Sequence, residues 1–88
     1  MSISMIGIDH NMAPVDIRAK FAFTKKNAGE AMEKIKNQNG IYGCVILSTC
    51  NRLEVWASVD DEVDVCLYDC LCRIKGITED SYRQYFVE

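Results

Sequence analysis

The chain has 88 residues, 49% of them apolar and 26% charged, with 10 basic against 13 acidic side chains. That is one small domain with a modest core. The slight excess of acid argues against a module that grips a nucleic-acid backbone unaided, because such grip needs clustered Lys and Arg. A nucleic-acid partner held mainly by other domains stays open. No apolar run spans a bilayer, and Met1-Ser2-Ile3-Ser4-Met5 carries no basic, apolar export signal. The expected location is cytoplasmic.

In chain order, Ser2–Asp9 begins with polar–apolar alternation and continues as Ile6-Gly7-Ile8, a first strand. His10-Asn11-Met12-Ala13-Pro14 reads as a loop, and Pro14 suits the first turn of a short helix reaching about Ala22. Thr24 is a candidate N-cap for a helix over about 25–38, where Ala28, Ala31, Met32 and Ile35 recur at three and four. Asn39-Gly40 ends it. A second strand, about 41–49, is apolar through its middle, as expected of a strand covered on both faces.

A third strand, about 52–59, puts Leu53, Val55, Ala57 and Val59 on one face and Glu54, Trp56 and Ser58 on the other. Asp60 or Asp61 is expected to cap a helix over about 62–75, ended by Gly76. Tyr82–Glu88 reads as a fourth strand. This order predicts an α+β, ferredoxin-like βαββαβ fold: a four-stranded antiparallel sheet with its helices on one face. In that topology the first two long strands run parallel with the third between them. His10 and Cys50 then sit on one edge, roughly 10 Å apart at the backbone, and His10, Cys50 and Arg52 are expected to line one rim.

The connection Ser48-Thr49-Cys50-Asn51-Arg52 concentrates a thiol, a guanidinium, an amide and two hydroxyls between two strands. Cys50 is the candidate nucleophile, since a nearby cation favours the reactive thiolate. Arg52, two positions on, could grip a carboxylate through paired hydrogen bonds. Ser48 and Thr49 could orient a substrate carbonyl, and His10 could serve as acid, base or orienting group. Each has a plainer reading: Cys50 as a small packed residue at a hairpin, Asn51 as a turn former, Arg52 and His10 as surface groups.

The other cysteines, 44, 66, 70 and 72, read as packing. Five is an odd number, and without an export signal a disulfide framework is not expected. A metal site is not expected either. Cys66 and Cys70 share a helix face, but Cys72 lies about 200° round from Cys70, and CxxxCxC lacks paired zinc spacing. Trp56, Tyr82, Tyr85 and Phe86 read as packing. The chain has no GxGxxG, so a nucleotide cofactor has no recognisable cradle in it.

The blocks Gly7-Ile8-Asp9-His10, Ala13-Pro14-Val15-Asp16-Ile17-Arg18 and Leu47-Ser48-Thr49-Cys50-Asn51-Arg52-Leu53-Glu54-Val55 resemble the N-terminal catalytic domain of the glutamyl-tRNA reductase family across essentially the whole chain. The resemblance implies NADPH-dependent reduction of glutamyl-tRNA to glutamate-1-semialdehyde in tetrapyrrole (porphyrin) synthesis. Cys50 would form a thioester with the glutamyl group, and that thioester would accept hydride. Thr49, Asn51 and Arg52 would contact substrate, with Arg52 on the glutamyl side-chain carboxylate; His10 and Ser48 are accessory candidates.

It also implies that residues 1–88 are a single N-terminal catalytic domain, a fragment not expected to complete turnover alone. The family's downstream histidine, its NADPH-binding domain and its helical dimerisation domain would follow Glu88. The full enzyme would be a homodimer, with glutamate-1-semialdehyde aminomutase as a candidate next partner. Asp9, Met12 and Trp56 depart from the family's usual Asn, Thr and Tyr. The alternative reading is a ferredoxin-like regulatory or interaction module with a non-catalytic thiol. An RNA-binding form of it would need aromatic and basic strands, which Ser2–Asp9 does not provide.

Overall fold

The computed structural model describes residues 1–49, 51–78 and 81–87. Three strands, β1 (Ser2–Asp9), β2 (Ile41–Ser48) and β3 (Arg52–Val59), form an antiparallel sheet in the order β1-β3-β2. Three helices, α1 (Val15–Phe21), α2 (Lys25–Lys36) and α3 (Leu67–Lys75), and a 3-10 turn over Ser81–Tyr85 complete the order. As expected, β3 lies between β1 and β2, so β1 and β2 run parallel and finish on one edge.

The alternation in β3 decides which face is covered. Leu53, Val55 and Ala57 are buried, and β1 adds Ile6 and Ile8 and β2 adds Ile46 to the same face. Phe21 of α1, Ala31 and Ile35 of α2, and Leu67, Tyr68, Cys70, Leu71 and Cys72 of α3 close over it. Burying such side chains, at ~1.5–3 kcal/mol each, is the main force holding the helical layer on the sheet. Thr24 caps α2 as expected: its hydroxyl oxygen accepts the Asn27 N–H at 3.1 Å. Gly76 closes α3 in the left-handed conformation, φ 69°.

Four expectations are corrected. The fourth strand is absent among the described residues; Ser81–Tyr85 is a 3-10 turn, and pairing survives only as one bridge between Gly7 and Val87. Glu88 lies outside the described residues. The reason is the spacing of Tyr82, Tyr85 and Phe86, which follows a three-residue turn better than alternation. Tyr82 and Phe86 meet Phe21 edge-on at 5.8 and 4.9 Å between ring centroids, and Phe86 meets Tyr68 at 5.4 Å. Packing one aromatic cluster outweighs extending the sheet.

The third helix begins at Leu67, not near residue 62. Asp60 spends its carboxylate on the Glu62 N–H at 3.0 Å, closing a tight turn. Asp61 binds the amino group of Met1 at 2.6 Å and the Ser2 hydroxyl. Neither acid is left to cap a helix.

The second strand is covered on one face only. Val45 and Leu47 are 52% and 53% exposed, because every described helix packs on the opposite side of the sheet. Trp56 is exposed on the same outer face, so it is not part of the core, and its indole N–H donates to Glu54.

Candidate active site

β1 and the β2–β3 connection meet at the shared edge. Asp9 pairs with Arg52 across the sheet, and the His10 N–H donates to the Asn51 carbonyl at 2.9 Å. Asp9 shapes the following loop: its carboxylate accepts the Asn11 N–H at 2.9 Å, and its carbonyl accepts from Met12 and Ala13. An asparagine oxygen could accept the same bond. His10 and Arg52 therefore occupy one rim, as expected. His10 is exposed, and its tie to the rim runs through its main chain. Cys50, the candidate nucleophile, lies outside the described residues.

Thr49 organises the turn that flanks Cys50 in sequence. Its N–H donates to the Arg52 carbonyl at 2.8 Å. Its hydroxyl oxygen accepts the N–H groups of Asn51 and Arg52 at 3.3 and 3.1 Å. A side chain that satisfies several main-chain donors holds a tight connection without glycine. Ser48, at the end of β2, accepts the Phe23 N–H at 3.1 Å through its hydroxyl oxygen. That bond fastens the segment between α1 and α2 to the site edge. Lys75 does the same from the other side: its ammonium donates to the Ala22 carbonyl and sits 3.9 Å from the centre of the Phe23 ring. Burial lowers its pKa.

Two cavities open at this edge, each of about 200 Å³. The first lies between α1 and the sheet. Val15 and Ala19 of α1 and Ala22 just beyond it form one wall, Ile8 and Leu53 its floor, and Ser48, Thr49, Arg18 and Arg52 its polar boundary. The second lies on the β1 side and is bordered by Asp9, Met12, Arg52, Glu54 and Val87 among others. Arg52 borders both.

The Arg52 guanidinium is 3.3 Å from the Glu54 carboxylate, whose other oxygen accepts the Trp56 indole N–H at 3.0 Å. Arg52 is 59% exposed and Glu54 18%. The charge that Arg52 offers the turn is thus shared with Glu54, a partner that spacing in the sequence did not assign to it. Arg18 is the other residue the sequence reading left without a role. It is half-buried, lines the first cavity and donates from Nε to the Ala13 carbonyl at 3.2 Å. The available signal was its position on the short helix opened by Pro14, where one turn carries it from the loop to the sheet edge.

The remaining cysteines behave as packing groups. Cys70 and Cys72 are buried, and Cys44 and Cys66 half-buried. Burial, with a smaller contribution from Cys70, pushes the Cys44 thiol up to about 11. Among the described residues no three His, Cys, Asp or Glu side chains converge as a metal site, and no helix is long and apolar enough to cross a membrane.

Comparison with known proteins identifies the family of the chain. Residues 6–88 match the family described as glutamyl-tRNAGlu reductase, N-terminal domain, and the chain belongs to that family. It is 39% identical over 84 residues to the glutamyl-tRNA reductase of Alkaliphilus oremlandii (strain OhILAs), covering 96% of this chain and 25% of that protein. It is 34% identical over 87 residues to the glutamyl-tRNA reductase of Acetivibrio thermocellus, covering 99% and 26%. Against that of Geobacillus kaustophilus (strain HTA426) it is 47% identical over 60 residues, covering 68% and 13%. The chain thus spans about a quarter or less of these relatives' length.

Proposed function

We propose that this chain is the N-terminal catalytic domain of a glutamyl-tRNA reductase and carries the acyl-transfer half of that reaction. The observation that supports it most is the Thr49-organised turn, set against a small cavity with an apolar floor and a cationic boundary, in a chain of this family. Cys50 is the nucleophile. Its thiolate attacks the carbonyl of the glutamyl ester, a C–S bond forms, the ester C–O bond breaks, and the ribose hydroxyl of tRNA leaves with a proton.

Thr49 and Asn51 position the connection for that attack, and Ser48 is an accessory hydroxyl. Arg52 pairs with the free side-chain carboxylate of the glutamyl group, exchanging its Glu54 partner for substrate. His10 holds the rim through its main chain.

NADPH, the reductant general to this family, would supply the hydride for the reductive half of the reaction. The described residues do not fit it. The positive-φ glycines, Gly40 and Gly76, close a turn against Val63 and a helix end. Neither opens a helix after a strand, as a dinucleotide cradle requires. We place the NADPH site, and any dimer interface, in other parts of the longer protein; a downstream aminomutase remains a candidate partner. The product, glutamate-1-semialdehyde, feeds tetrapyrrole synthesis, and we expect the enzyme to be cytoplasmic.

Mass spectrometry after mixing the chain with glutamyl-tRNA tests this. The expected result is a glutamyl adduct on Cys50, cleaved by hydroxylamine and missing in Cys50→Ser. An adduct retained in Cys50→Ser, or none on the wild-type chain, sinks the reading. A second reading, an interaction module with a non-catalytic thiol, draws on the uncovered outer face with Ile3, Val45, Leu47 and Trp56. It predicts no adduct at all.

A further inference from the structure

We propose that Arg18 is a second carboxylate-binding residue of this site, so that the glutamyl side chain is held from α1 as well as from β3. The inference rests on the reading above and adds a specificity-determining residue to it.

The cavity beside the Ser48-Thr49 end of β2 has a consistent chemistry. Its walls are Ile8, Leu53, Val15, Ala19 and Ala22, which suit the two methylenes of a glutamyl side chain. Its volume, about 200 Å³, admits a side chain of that size. A carboxylate entering such an apolar pocket needs a cation there, since unpaired charge in apolar surroundings is strongly disfavoured. Arg18 and Arg52 are the two cations among its lining residues.

They are not equivalent. Arg52 begins β3 on the face of Glu54 and Trp56, opposite the buried face of Leu53, and its guanidinium is 3.3 Å from the Glu54 carboxylate. Arg18 comes from the helix side, where the cavity lies. Its Nε donates to the Ala13 carbonyl at 3.2 Å, which ties the guanidinium to the start of α1 beside the cavity. A planar fork held in advance loses little freedom on binding and can make two parallel bonds to a carboxylate. Arg18 therefore sets the preference for a carboxylate over an amide, and Arg52 adds charge when it leaves Glu54.

The test uses L-glutamate α-methyl ester, whose side-chain carboxylate is free, and L-glutamine α-methyl ester, which carries a neutral amide instead. Each is titrated into the chain and followed by amide chemical shifts of Ser48, Thr49 and Leu53. The wild-type chain is expected to prefer the glutamate ester. Arg18→Gln should weaken its binding about tenfold or more and erase the preference. Arg18→Lys, which keeps the charge and loses the fork, should retain part of both.

Dispersed amide spectra establish that the variants fold. If Arg18→Gln does not fold, Arg18→Lys decides: affinity and preference equal to wild type overturn the inference. Unchanged binding in Arg18→Gln with loss in Arg52→Gln overturns it while leaving the proposed function standing. A wild-type chain that forms the Cys50 adduct but does not distinguish the esters overturns the Arg18 role alone. Absence of the adduct fails the proposed function itself.

Discussion

The His10 N–H and the Asn51 carbonyl are 2.9 Å apart, donor to acceptor, and this bond joins the end of β1 to the turn between β2 and β3. The link belongs to the main chain, so it separates two roles for His10. His10→Ala keeps the N–H and should change stability by no more than about 0.5 kcal/mol, as for an exposed side chain. Adduct formation from glutamyl-tRNA should proceed at the wild-type rate. His10→Pro removes the donor and should cost about 1 kcal/mol or more. A large drop in adduct rate in His10→Ala would instead assign the imidazole a chemical role.

Thr49 should tolerate serine and resist alanine. Its hydroxyl oxygen accepts from Asn51 and Arg52, and serine offers the same acceptor. Thr49→Ala is expected to lose about 1 kcal/mol in urea unfolding and to slow alkylation of Cys50 by iodoacetamide. Thr49→Ser should stay near wild type in both. Equal behaviour of the two variants would dismiss the hydroxyl as the organiser of the turn.

The Cys44 thiol is pushed up by burial to about 11, against 9.0 in an ordinary setting. The folded state thus resists ionisation more than the unfolded state does. Its contribution to stability is fully present below about pH 9 and is lost as pH rises towards 11. Alkylation mapped by mass spectrometry should find Cys44 nearly inert at pH 8. Replacing it by Ala should flatten the alkaline fall in stability, and an unchanged fall would assign that behaviour to other groups.

Arg52→Lys should impair capture of glutamyl-tRNA although the charge is kept, because an ammonium cannot reproduce the guanidinium fork. Stability should hardly move, since the Arg52–Glu54 pair is largely exposed on the arginine side. The measurement is the concentration of glutamyl-tRNA at half-maximal adduct rate. Near-normal capture would refute the pairing.

Gly40 has φ 89°, and a Cβ there would lie 2.6 Å from Cγ1 and 2.8 Å from Cβ of Val63. Both backbone and space exclude a side chain. Gly40→Ala should lose about 1–3 kcal/mol, read from the urea midpoint. A change below about 0.5 kcal/mol would mean that the Val63 turn yields freely.

Much of this molecule follows from local rules. Alternation in residues 52–59 gives β3 and its buried face, the Thr24 hydroxyl starts α2, and Gly76 ends α3, because each depends on neighbours a few positions away. The candidate nucleophile block is legible for the same reason: Ser48 to Arg52 are contiguous. Tertiary structure decided the rest. Tyr82 and Phe86 leave the sheet because Phe21 and Tyr68, far away in sequence, offer an aromatic cluster. The apolar middle of β2 is open on one side because all described helices chose the other. Arg52 meets Glu54, and Arg18 reaches the first cavity, only once strand register and helix packing set their directions. Short-range hydrogen bonds and periodicity are written in adjacent residues; which distant surfaces meet is settled by packing them together.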